Sequence, residues 1–430
     1  MKKEAVSVFW FRRDLRLEDN RGLFEALNSP FPVLPIFIFD SEITDELNKD
    51  DARITFIYDN LKKLSIQLGE RSSGMYCTKG DPMDVWSNLI NKYNVQSVYA
   101  NEDYEPYAIK RDQEVAQLLH KKNVQFHLFK DQVIFAKGEV LKGDKTPYTV
   151  FTPYKNKWLE RFAGETLRDY TPLLNSNFLK IEIPFPEISD MGFTRSSIKV
   201  LKYTLDQLDN YDEARNFPAA NQTSYLSPHL RFGTVSIRKV ILNTIENKTF
   251  VSELIWREFF MQILYHFPNV VRNNFKRKYD GVQWRNDPQD FEKWKNGQTG
   301  YPIVDAGMRE LNTTGYMHNR VRMVVAGFLC KHLLIDWRWG EAYFAKKLLD
   351  FELSSNNGNW QWSAGTGCDS APYFRIFNPT EQVRKFDSER TYLKKWIPEL
   401  DTFDYPSPMV DHKFARARAL EAYKKGLLEN

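Results

Sequence analysis

The first 130 residues alternate short apolar runs with helix-like stretches, and this alternation constrains the fold more than any other feature. The apolar runs have the length of buried strands and lie at residues 6–11, 33–39, 75–78, 97–100 and 124–129. Two of the stretches between them, residues 53–68 and 106–121, have helical spacing. Strands that alternate with helices form parallel sheets. The sequence therefore predicts an α/β domain with a doubly wound parallel sheet. The dinucleotide motif GxGxxG is absent, so no motif indicates a nucleotide there.

Beyond about residue 200 the strand patterns vanish and helical periodicity dominates. The helical patterns cover residues 251–265, 303–312, 318–332 and 341–349, and a closing helix covers 415–428. The intervening region mixes Gly, Lys, Pro and Asn without steady periodicity, as a connector does. We therefore expect three segments: an α/β domain at 1–131, a connector at 132–199 and an all-helical domain at 200–430.

Composition narrows the class of protein. A chain of 430 residues with 42% hydrophobic residues can bury more than one core. It has no run of about 18 apolar residues and no apolar leader after Met1, so neither a membrane span nor a signal peptide is expected. Cys77, Cys330 and Cys368 are widely spaced and lack a metal-ligand pattern. Buried thiols of this kind favour a cytoplasmic protein without a metal site. A net charge of +4 permits a local basic groove for nucleic acid.

One segment has the signature of a helix start. In residues 223–230 (TSYLSPHL), Ser227 suits the N-cap and Pro228 the first helical position. Hydroxyl groups and backbone N–H groups at a helix N-terminus can hold a phosphate. An ordinary capped helix is the simpler alternative.

A second candidate lies in the helix at 251–265. Glu253, Trp256 and Arg257 are spaced i, i+3 and i+4, so they share one helix face. An acid, an indole and a guanidinium on one face can hydrogen-bond and stack on a planar ring. A surface ion pair beside a core tryptophan is the alternative.

A third candidate is the run at 317–323 (MHNRVRM). Asn319 can bond a base edge, Met323 can pack on a ring, and Arg320 can hold a phosphate. A basic helix with a solvated face explains the same residues.

Tryptophan is concentrated in the second half of the chain. Eight of the 11 tryptophans lie between residues 251 and 400, and two of them end the segment at 356–362 (NNGNWQW). Trp284, Trp337 and Trp360 have no periodic relation, so three core side chains and an electron-hopping chain both remain open. Asp350, Glu352 and Asn356 precede the pair and suit either the polar edge of a flavin or a solvated helix end.

Taken together and in this order, these motifs resemble the DNA photolyase and cryptochrome family along the whole chain. The resemblance is carried by residues 9–16 (FWFRRDLR), 148–154 (YTVFTPY), 223–227 (TSYLS), 253–259 (ELIWREF), 299–305 (TGYPIVD), 356–362 (NNGNWQW) and 371–379 (APYFRIFNP). The pattern at 317–323 is most like that of bacterial class I photolyases that repair cyclobutane pyrimidine dimers. It lacks the histidine-rich form of the (6-4) enzymes.

The resemblance implies that the helical domain binds FAD in a folded conformation. Asn356 would lie by the flavin N5, and its amide adds no negative charge there. The other implied FAD-binding residues are Tyr211, Arg215, Thr223, Ser224, Leu226, Ser227, Arg257, Asp350 and Glu352.

The resemblance also implies a pocket for the damaged base pair. Glu253 would hydrogen-bond the pyrimidines, and Trp256 and Trp362 would form an aromatic wedge against the flipped bases. Asn319, Arg320 and Met323 would complete the pocket. Contacts with the DNA backbone are implied for Arg320, Arg375, Gln382 and Lys385.

The implied mechanism is light-driven electron transfer. Photoexcited reduced FAD lends an electron to the dimer, the cyclobutane ring opens, and the electron returns. Trp360, Trp337 and Trp284 would form the photoreduction chain, in that order from flavin to surface. No metal is needed.

The antenna chromophore and the alternative function are less constrained. In residues 103–108 (DYEPYA), Tyr107 and Ala108 stand where folate-using relatives carry Asn-Glu, which favours a deazaflavin over a folate. A cryptochrome that signals blue light to a partner would share the fold and FAD. Asn356 and the complete pocket favour repair. Family members are usually monomers, so a monomer is expected.

Overall fold

A computed structural model describes residues 4–173 and 177–428, which fall into two compact units. The first comprises Met1–Glu139, Leu159–Tyr203 and Tyr225–Ile245, and the second comprises Val140–Trp158, Thr204–Ser224 and Glu246–Asn430. These units are defined by packing alone. The three segments expected from the sequence, at 1–131, 132–199 and 200–430, stay a prediction.

The first unit is built on five parallel strands. The strands are β1 (Ala5–Phe11), β2 (Val33–Asp40), β3 (Tyr76–Gly80), β4 (Asn94–Asn101) and β5 (Gln125–Phe129), in the order β3-β2-β1-β4-β5. Every neighbouring pair is parallel. Each predicted strand overlaps an observed one, so the predicted parallel α/β sheet is confirmed.

The helices follow in chain order. They are α1 (Arg21–Leu27), α2 (Ser41–Thr44), α3 (Ala52–Gly69), α4 (Pro82–Lys92), α5 (Pro106–Lys121), α6 (Phe151–Phe162), α7 (Tyr211–Ala214), α8 (Leu226–Phe232), α9 (Ile237–Thr244), α10 (Lys248–His266), α11 (Pro288–Lys295), α12 (Pro302–Thr314), α13 (Asn319–Gly327), α14 (Trp337–Lys347), α15 (Leu353–Ala364), α16 (Pro379–Phe386), α17 (Thr391–Trp396) and α18 (His412–Leu428). A π-helix at Phe328–His332 continues α13, and short 3₁₀ turns lie at Ile188–Met191, Pro218–Ala220, Pro268–Val271 and Arg277–Tyr279. No described helix is long and apolar enough to cross a bilayer.

The sheet is covered on both faces because its side chains alternate. Phe9 and Phe11 of β1 pack with α1 and α3, in a cluster that includes Leu23 and Leu61. The alternating residues of β1, which are Val6, Val8 and Trp10, belong to a separate cluster with α4 and α5. Successive strand residues point to opposite faces. Two helical layers around one sheet therefore confirm the doubly wound architecture.

Four buried charges hold the loop after β1 to α9 within the first unit. The Asp131 carboxylate accepts from Arg16 Nη2 at 2.6 Å and from Arg238 Nη2 at 2.8 Å, while Arg238 Nε also lies 2.9 Å from Asp19 Oδ2. All four side chains are at least nine-tenths buried. Burial raises the pKa of Asp131, but the two guanidinium groups outweigh burial and hold that pKa below its usual value.

The start of α8 differs from the prediction. The helix begins at Leu226, with Tyr225 as N-cap in the left-handed region at φ 51°, and no side chain caps it. Ser227 and Pro228 therefore lie inside the first turn, so the predicted Ser227 cap is wrong. The tight backbone turn at Tyr225 decides the boundary, and a propensity argument does not anticipate a tyrosine at positive φ.

Helices of the second unit approach closely at glycines. A Cβ added to Gly340 in α14 would lie 2.1 Å from the Trp360 ring, and one added to Gly358 in α15 would lie 2.2 Å from the Phe260 ring in α10. Distances this short exclude any side chain. The two glycines thus let α15 pack between α14 and α10, which places the polar residues of α15 in the interior.

Replacing Asp131 by Ala should strongly destabilise the chain. Two buried guanidinium groups would lose the carboxylate that they share, and only Arg238 would keep another in Asp19, so the loss should cost about 3–5 kcal/mol of unfolding free energy. The matched control is Asp59→Ala, which breaks a largely exposed ion pair with Arg195 and should cost less than about 1 kcal/mol. Urea unfolding at neutral pH measures both. Equal small losses would contradict the assignment.

Replacement of Asp131 by Asn should show a pH dependence of stability. Because the folded pKa of Asp131 is depressed, its contribution is present above the unfolded pKa and is lost as pH falls through the folded pKa. The stability difference between wild type and Asp131→Asn should therefore shrink once pH falls below about 4. A difference that is constant with pH would show that the carboxylate charge is not what stabilises this site.

Gly340→Ala should be destabilising, whereas Gly327→Ala should not. The first forces a methyl group against the Trp360 ring and should cost about 1–3 kcal/mol. The second meets only Phe377 at 3.8 Å and should be neutral or stabilise by up to about 1 kcal/mol, since Ala favours helix more than Gly. Urea unfolding gives the energies, and near-ultraviolet circular dichroism reports the Trp360 environment.

Candidate functional site

Glu253 forms a polar cluster with α7 in the second unit. Its carboxylate lies 2.8 Å from Arg215 Nη2, and both side chains are partly exposed. The Arg215 guanidinium also lies 5.5 Å from the centre of the Tyr211 ring. Burial, with a smaller contribution from Glu253, raises the pKa of Tyr211 to about 12, so its hydroxyl stays protonated. The structure thus brings Tyr211 and Arg215, predicted to bind the cofactor, next to Glu253, predicted to bind the substrate.

Two ion pairs hold the segment that leads into α15. Arg257 Nη2 lies 3.3 Å from Glu352 Oε1, and Arg322 Nη2 lies 2.9 Å from Asp350 Oδ2. Glu352 and Asp350 are the more buried partner in each pair. The sequence shows Arg322 only as part of a basic run, because spacing along the chain gives no sign of a partner 28 residues away.

Asn356 is buried in the second turn of α15. Its side-chain amide donates to Glu341 Oε1 at 2.7 Å and to the Glu341 backbone carbonyl at 3.1 Å. Burial raises the pKa of Glu341, although the bond from Asn356 partly opposes the shift. The amide nitrogen is thereby directed at Glu341, which fixes the orientation of the group. No local sequence pattern marks Glu341 as the partner of Asn356.

The donor set in this region fits the polar ring of a flavin. Within one short segment stand two carboxylates, an amide and the hydroxyl of Ser354, beside the guanidinium groups of Arg257 and Arg322. The Ser354 hydroxyl oxygen is buried and has no hydrogen-bond partner in the structure. A buried polar atom is rarely left unpaired, so Ser354 has capacity for a further polar group. The residues present therefore suit FAD.

A second polar group lies where α13 meets α16. Arg320 donates from Nη2 to Asn216 Oδ1, and its guanidinium lies 4.4 Å from the centre of the Phe386 ring. The ammonium group of Lys385 lies 5.2 Å from the same ring. The Arg320 Nε and Gln382 Oε1 atoms are buried without a hydrogen-bond partner. Two of the four predicted DNA-backbone residues, Arg320 and Lys385, thus lie beside Phe386, and Gln382 belongs to the same helix as Phe386.

His318 caps α13 in its neutral form. Its Nδ1 accepts from the backbone N–H of Arg320 at 3.2 Å. Burial, with the nearby charges of Arg322, Arg320 and Arg215, lowers the pKa of His318 to about 4. At neutral pH it therefore holds no extra proton to donate. Asn319 and Met323 follow in the first turns of the same helix.

Of the two tryptophans in the predicted aromatic wedge, only Trp256 packs against other aromatic rings of the described residues. Trp256 stacks face to face on Phe151 at 3.6 Å, with an interplanar angle of 9°, and Phe260 packs at 5.4 Å. Trp362 is half-buried and makes no aromatic ring contact with any described residue. The structure fixes the Trp256 ring but does not show it against Trp362.

The three predicted relay tryptophans share one hydrophobic cluster. Trp360 and Trp337 are buried in it and Trp284 packs against it. Trp337 donates from Nε1 to Asn274 Oδ1 at 2.9 Å, and Trp284 makes an edge contact with Tyr423 at 5.9 Å. Among the described residues, no ring contact joins any two of the three. Trp360 instead touches Trp294, a residue that sequence analysis passed over.

The remaining predicted residues are more dispersed. Thr223 is exposed, and the backbone carbonyl of Ser224 accepts from Thr204 at 3.0 Å in the second unit. Leu226 and Ser227 belong to the first unit, where Leu226 is buried. Arg375 is exposed, and its backbone carbonyl accepts from Lys331.

In the first unit, the carboxyl ends of β1 and β4 form a topological switch point. Ligands of doubly wound sheets bind in the crevice at such a point. Here the crevice is filled by ion pairs, which join Arg12 to Asp112, Arg13 to Asp103 and Glu105, and Arg111 to Asp40 and Asp112. The Tyr107 hydroxyl also donates to Asp40 at 2.7 Å.

The space beside these ion pairs is about 10 Å³, room for one water molecule. A pocket for a small organic ligand has a volume of about 300–1,000 Å³. Neither Tyr107 nor Ala108 lines this space, so the deazaflavin favoured from residues 103–108 stays a prediction. Within the described residues, no cluster of three or more His, Cys, Asp or Glu could hold a metal.

Comparison with known proteins places this geometry in a family. The family model for DNA photolyase matches residues 7–173, and that for the FAD binding domain of DNA photolyase matches residues 250–404. A deoxyribodipyrimidine photo-lyase from Escherichia coli is 36% identical, with 98% of each chain covered.

Two solved structures agree along the full length. A bacterial class III photolyase from Agrobacterium tumefaciens has a TM-score of 0.88 and 32% identity, covering 100% of this chain and 99% of its own. An archaeal photolyase from Sulfolobus tokodaii, solved with two FAD molecules, has a TM-score of 0.86 and 35% identity, covering 97% and 99%. The chain therefore belongs to the DNA photolyase family.

Proposed function

We propose that this protein repairs cyclobutane pyrimidine dimers in DNA with light, using bound FAD. The observation that carries the proposal is the full-length similarity to relatives named deoxyribodipyrimidine photo-lyase. Similarity over a whole chain includes the site as well as the scaffold, whereas fold alone would not define a function. Illumination of the chemically reduced protein with a dimer-containing oligonucleotide, against a dark control, tests it directly.

FAD, when bound in its fully reduced state, supplies a light-driven electron to the dimer. The chain's contribution is to hold and orient it. Asp350, Glu352, Asn356 and Ser354 would offer acceptors and donors to the polar ring, while Tyr211, Arg215, Thr223 and Ser224 would bind the phosphates and ribityl chain. The two ion pairs at Arg257 and Arg322 support this role because they fix the carboxylates in place.

Glu253 would hydrogen-bond the damaged pyrimidine pair. Its side chain is 35% exposed, so a substrate can reach it, and Arg215 beside it supplies a positive charge. A positive charge near the bound bases would favour an extra electron on them, because the bases become negative while the ring opens. Trp256, held by its stack on Phe151, would present a rigid aromatic surface to the flipped bases.

Arg320, Arg375, Gln382 and Lys385 would contact the DNA backbone. Contacts of this type position a duplex without reading its sequence, as expected for an enzyme that acts on lesions anywhere in the genome. The position of the Arg320 and Lys385 charges beside the Phe386 ring supports this assignment.

The lesion type follows from the same region. Repair of (6-4) lesions by a histidine acid needs a protonated imidazole in the pocket. The lowered pKa of His318 leaves it neutral, and Asn319 and Met323 hold no titratable proton. These features support the cyclobutane dimer as substrate. Assignment to class I stays a prediction, as do the monomeric state and the cytoplasmic location.

The deazaflavin antenna favoured by Tyr107 and Ala108 stays a prediction. Arg13 pairs with Asp103 and Glu105 at the carboxyl edge of the sheet, so a chromophore bound against that edge would lie beside these charges.

Glu253→Ala should lower repair per absorbed photon more than it weakens DNA binding. The carboxyl group acts on the electron-bearing base pair, whereas affinity comes mainly from backbone contacts. We expect a severalfold loss in repair per photon and a binding loss below about 1 kcal/mol. Glu246→Ala, an exposed acid outside α10, is the control and should change neither. Parallel losses in binding and yield would contradict the assignment.

Trp284→Phe should impair photoreduction of bound FAD but leave repair by chemically reduced protein intact. Trp284 would feed electrons to oxidised cofactor and would not touch DNA. A loss of about tenfold in photoreduction rate corresponds to about 1.4 kcal/mol of barrier. Loss of flavin absorbance under blue light measures one activity, and dimer repair after chemical reduction measures the other. An equal fall in both would refute this division of labour.

A further inference from the structure

Trp360 has an aromatic neighbour that the predicted relay does not include. Its ring meets the Trp294 ring edge to face at 6.2 Å. Trp294 is fully buried and donates from Nε1 to the Val325 backbone carbonyl at 3.2 Å. A buried indole in ring contact with Trp360 is better placed to refill it with an electron than one without such contact.

From Trp294 an aromatic path leads toward solvent. Phe291 stacks on Trp294 at 5.6 Å and 15°, and Trp339 meets Phe291 at 5.2 Å. Trp339 is half-buried, so water can reach its indole. Phenylalanine is too hard to oxidise to carry charge itself, so Phe291 would act as a bridge between two indoles.

The Trp337 and Trp294 rings differ in the charges that lie beside them. The Arg338 guanidinium lies 4.8 Å from the centre of the Trp337 ring, whereas no cation lies over Trp294 among the described residues. A nearby positive charge opposes the loss of an electron from a ring, although the Asp336 carboxylate at 2.9 Å from Arg338 reduces this effect. The Arg338 guanidinium therefore raises the cost of an electron vacancy on Trp337, whereas on the other branch the closest cation of the described residues is over Phe291, where Lys295 lies 5.3 Å from the ring centre.

Tyr343 also touches Trp294, at 5.9 Å, but is poorly suited as the exit. Its hydroxyl donates to the Asn312 amide oxygen at 2.6 Å, and an amide oxygen does not take up the proton that an oxidised tyrosine must release. The ammonium groups of Lys295 and Lys347 lie 5.7 and 5.8 Å from its ring. Trp339 has neither handicap.

We propose that Trp294 and Trp339 form a second electron path from Trp360 to solvent, parallel to the path through Trp337 and Trp284. This inference rests on the proposed function, since it needs FAD bound near Trp360. One electron passes from Trp360 to photoexcited oxidised FAD, Trp294 refills Trp360, and Trp339 refills Trp294 across Phe291. Oxidised Trp339 releases its N–H proton to water. It is then restored by a hydrogen atom from a soluble thiol, and two thiyl radicals combine to a disulfide.

The test is photoreduction of the FAD-containing chain under blue light with a thiol reductant. The variants are Trp337→Phe, Trp294→Phe and the double variant. We expect Trp337→Phe to keep measurable photoreduction and the double variant to lose a further factor of about ten, equivalent to about 1.4 kcal/mol. Complete loss in Trp337→Phe alone, or no further loss in the double variant, would overturn the second path.

A second variant separates the loss of electron transfer from a folding defect caused by substitution of the buried Trp294. Trp339→Phe at a half-buried position, in the Trp337→Phe background, should also slow photoreduction. In this background, electron paramagnetic resonance of illuminated, frozen samples should show a tryptophan radical that disappears with Trp339→Phe. An unchanged radical would contradict the proposed exit. Urea unfolding of each variant reports stability separately.

Controls separate this inference from the proposed function. Trp86→Phe removes an equally buried indole in the first unit and should leave photoreduction unchanged. Repair of dimers by chemically reduced wild-type protein depends on neither path. If that repair is absent, the proposed function fails; if repair is present and the double variant photoreduces like Trp337→Phe, only the second path fails.

Discussion

The candidate site depends on one polar helix being buried with its hydrogen bonds satisfied. α15 carries Asn356, Asn357 and Gln361, all nearly inaccessible to solvent. Asn357 donates to the Val270 carbonyl at 3.0 Å, as does Gln361, whose amide oxygen accepts from the Phe275 backbone. Leaving such amides unpaired would cost about 1–3 kcal/mol each. The loop that follows α10 is therefore fixed by the helix that presents Asn356, so scaffold and site are stabilised by the same bonds.

The spacing of apolar residues along the chain was sufficient to predict those strands and helices whose burial follows one simple rule. The short apolar run of β1 and the helical spacing of α5 predicted the α/β unit. A strand buried on both faces is apolar throughout, and a helix on the sheet buries one apolar stripe. Helical periodicity also predicted α10, α12, α13, α14 and α18 of the second unit, but it did not predict α11, α15, α16 or α17. The prediction was wrong at α8, where the N-cap is Tyr225 at positive φ and not Ser227.

Pairings between distant residues lay beyond sequence reasoning. Arg215 with Glu253, Arg322 with Asp350, and Glu341 with Asn356 are separated by 15 to 38 positions and join different elements. Spacing along one helix predicts which side chains share a face, but it carries no information about the partner across an interface. The family resemblance named most residues of the site, whereas Glu341, Ser354 and Trp294 emerged only from packing.

The ion pairs at the carboxyl edge of the parallel sheet have a consequence for chemistry at that edge. Arg12, Arg13 and Arg111 are matched there with the carboxylates of Asp40, Asp103 and Asp112 in a nearly dry environment. Any molecule that entered would have to displace carboxylates and compensate the guanidinium groups left behind. An uncharged guest would leave guanidinium groups and carboxylates unpaired. An anionic guest could replace the carboxylates, and dissolved salt would weaken its attraction only slightly because the charges are buried.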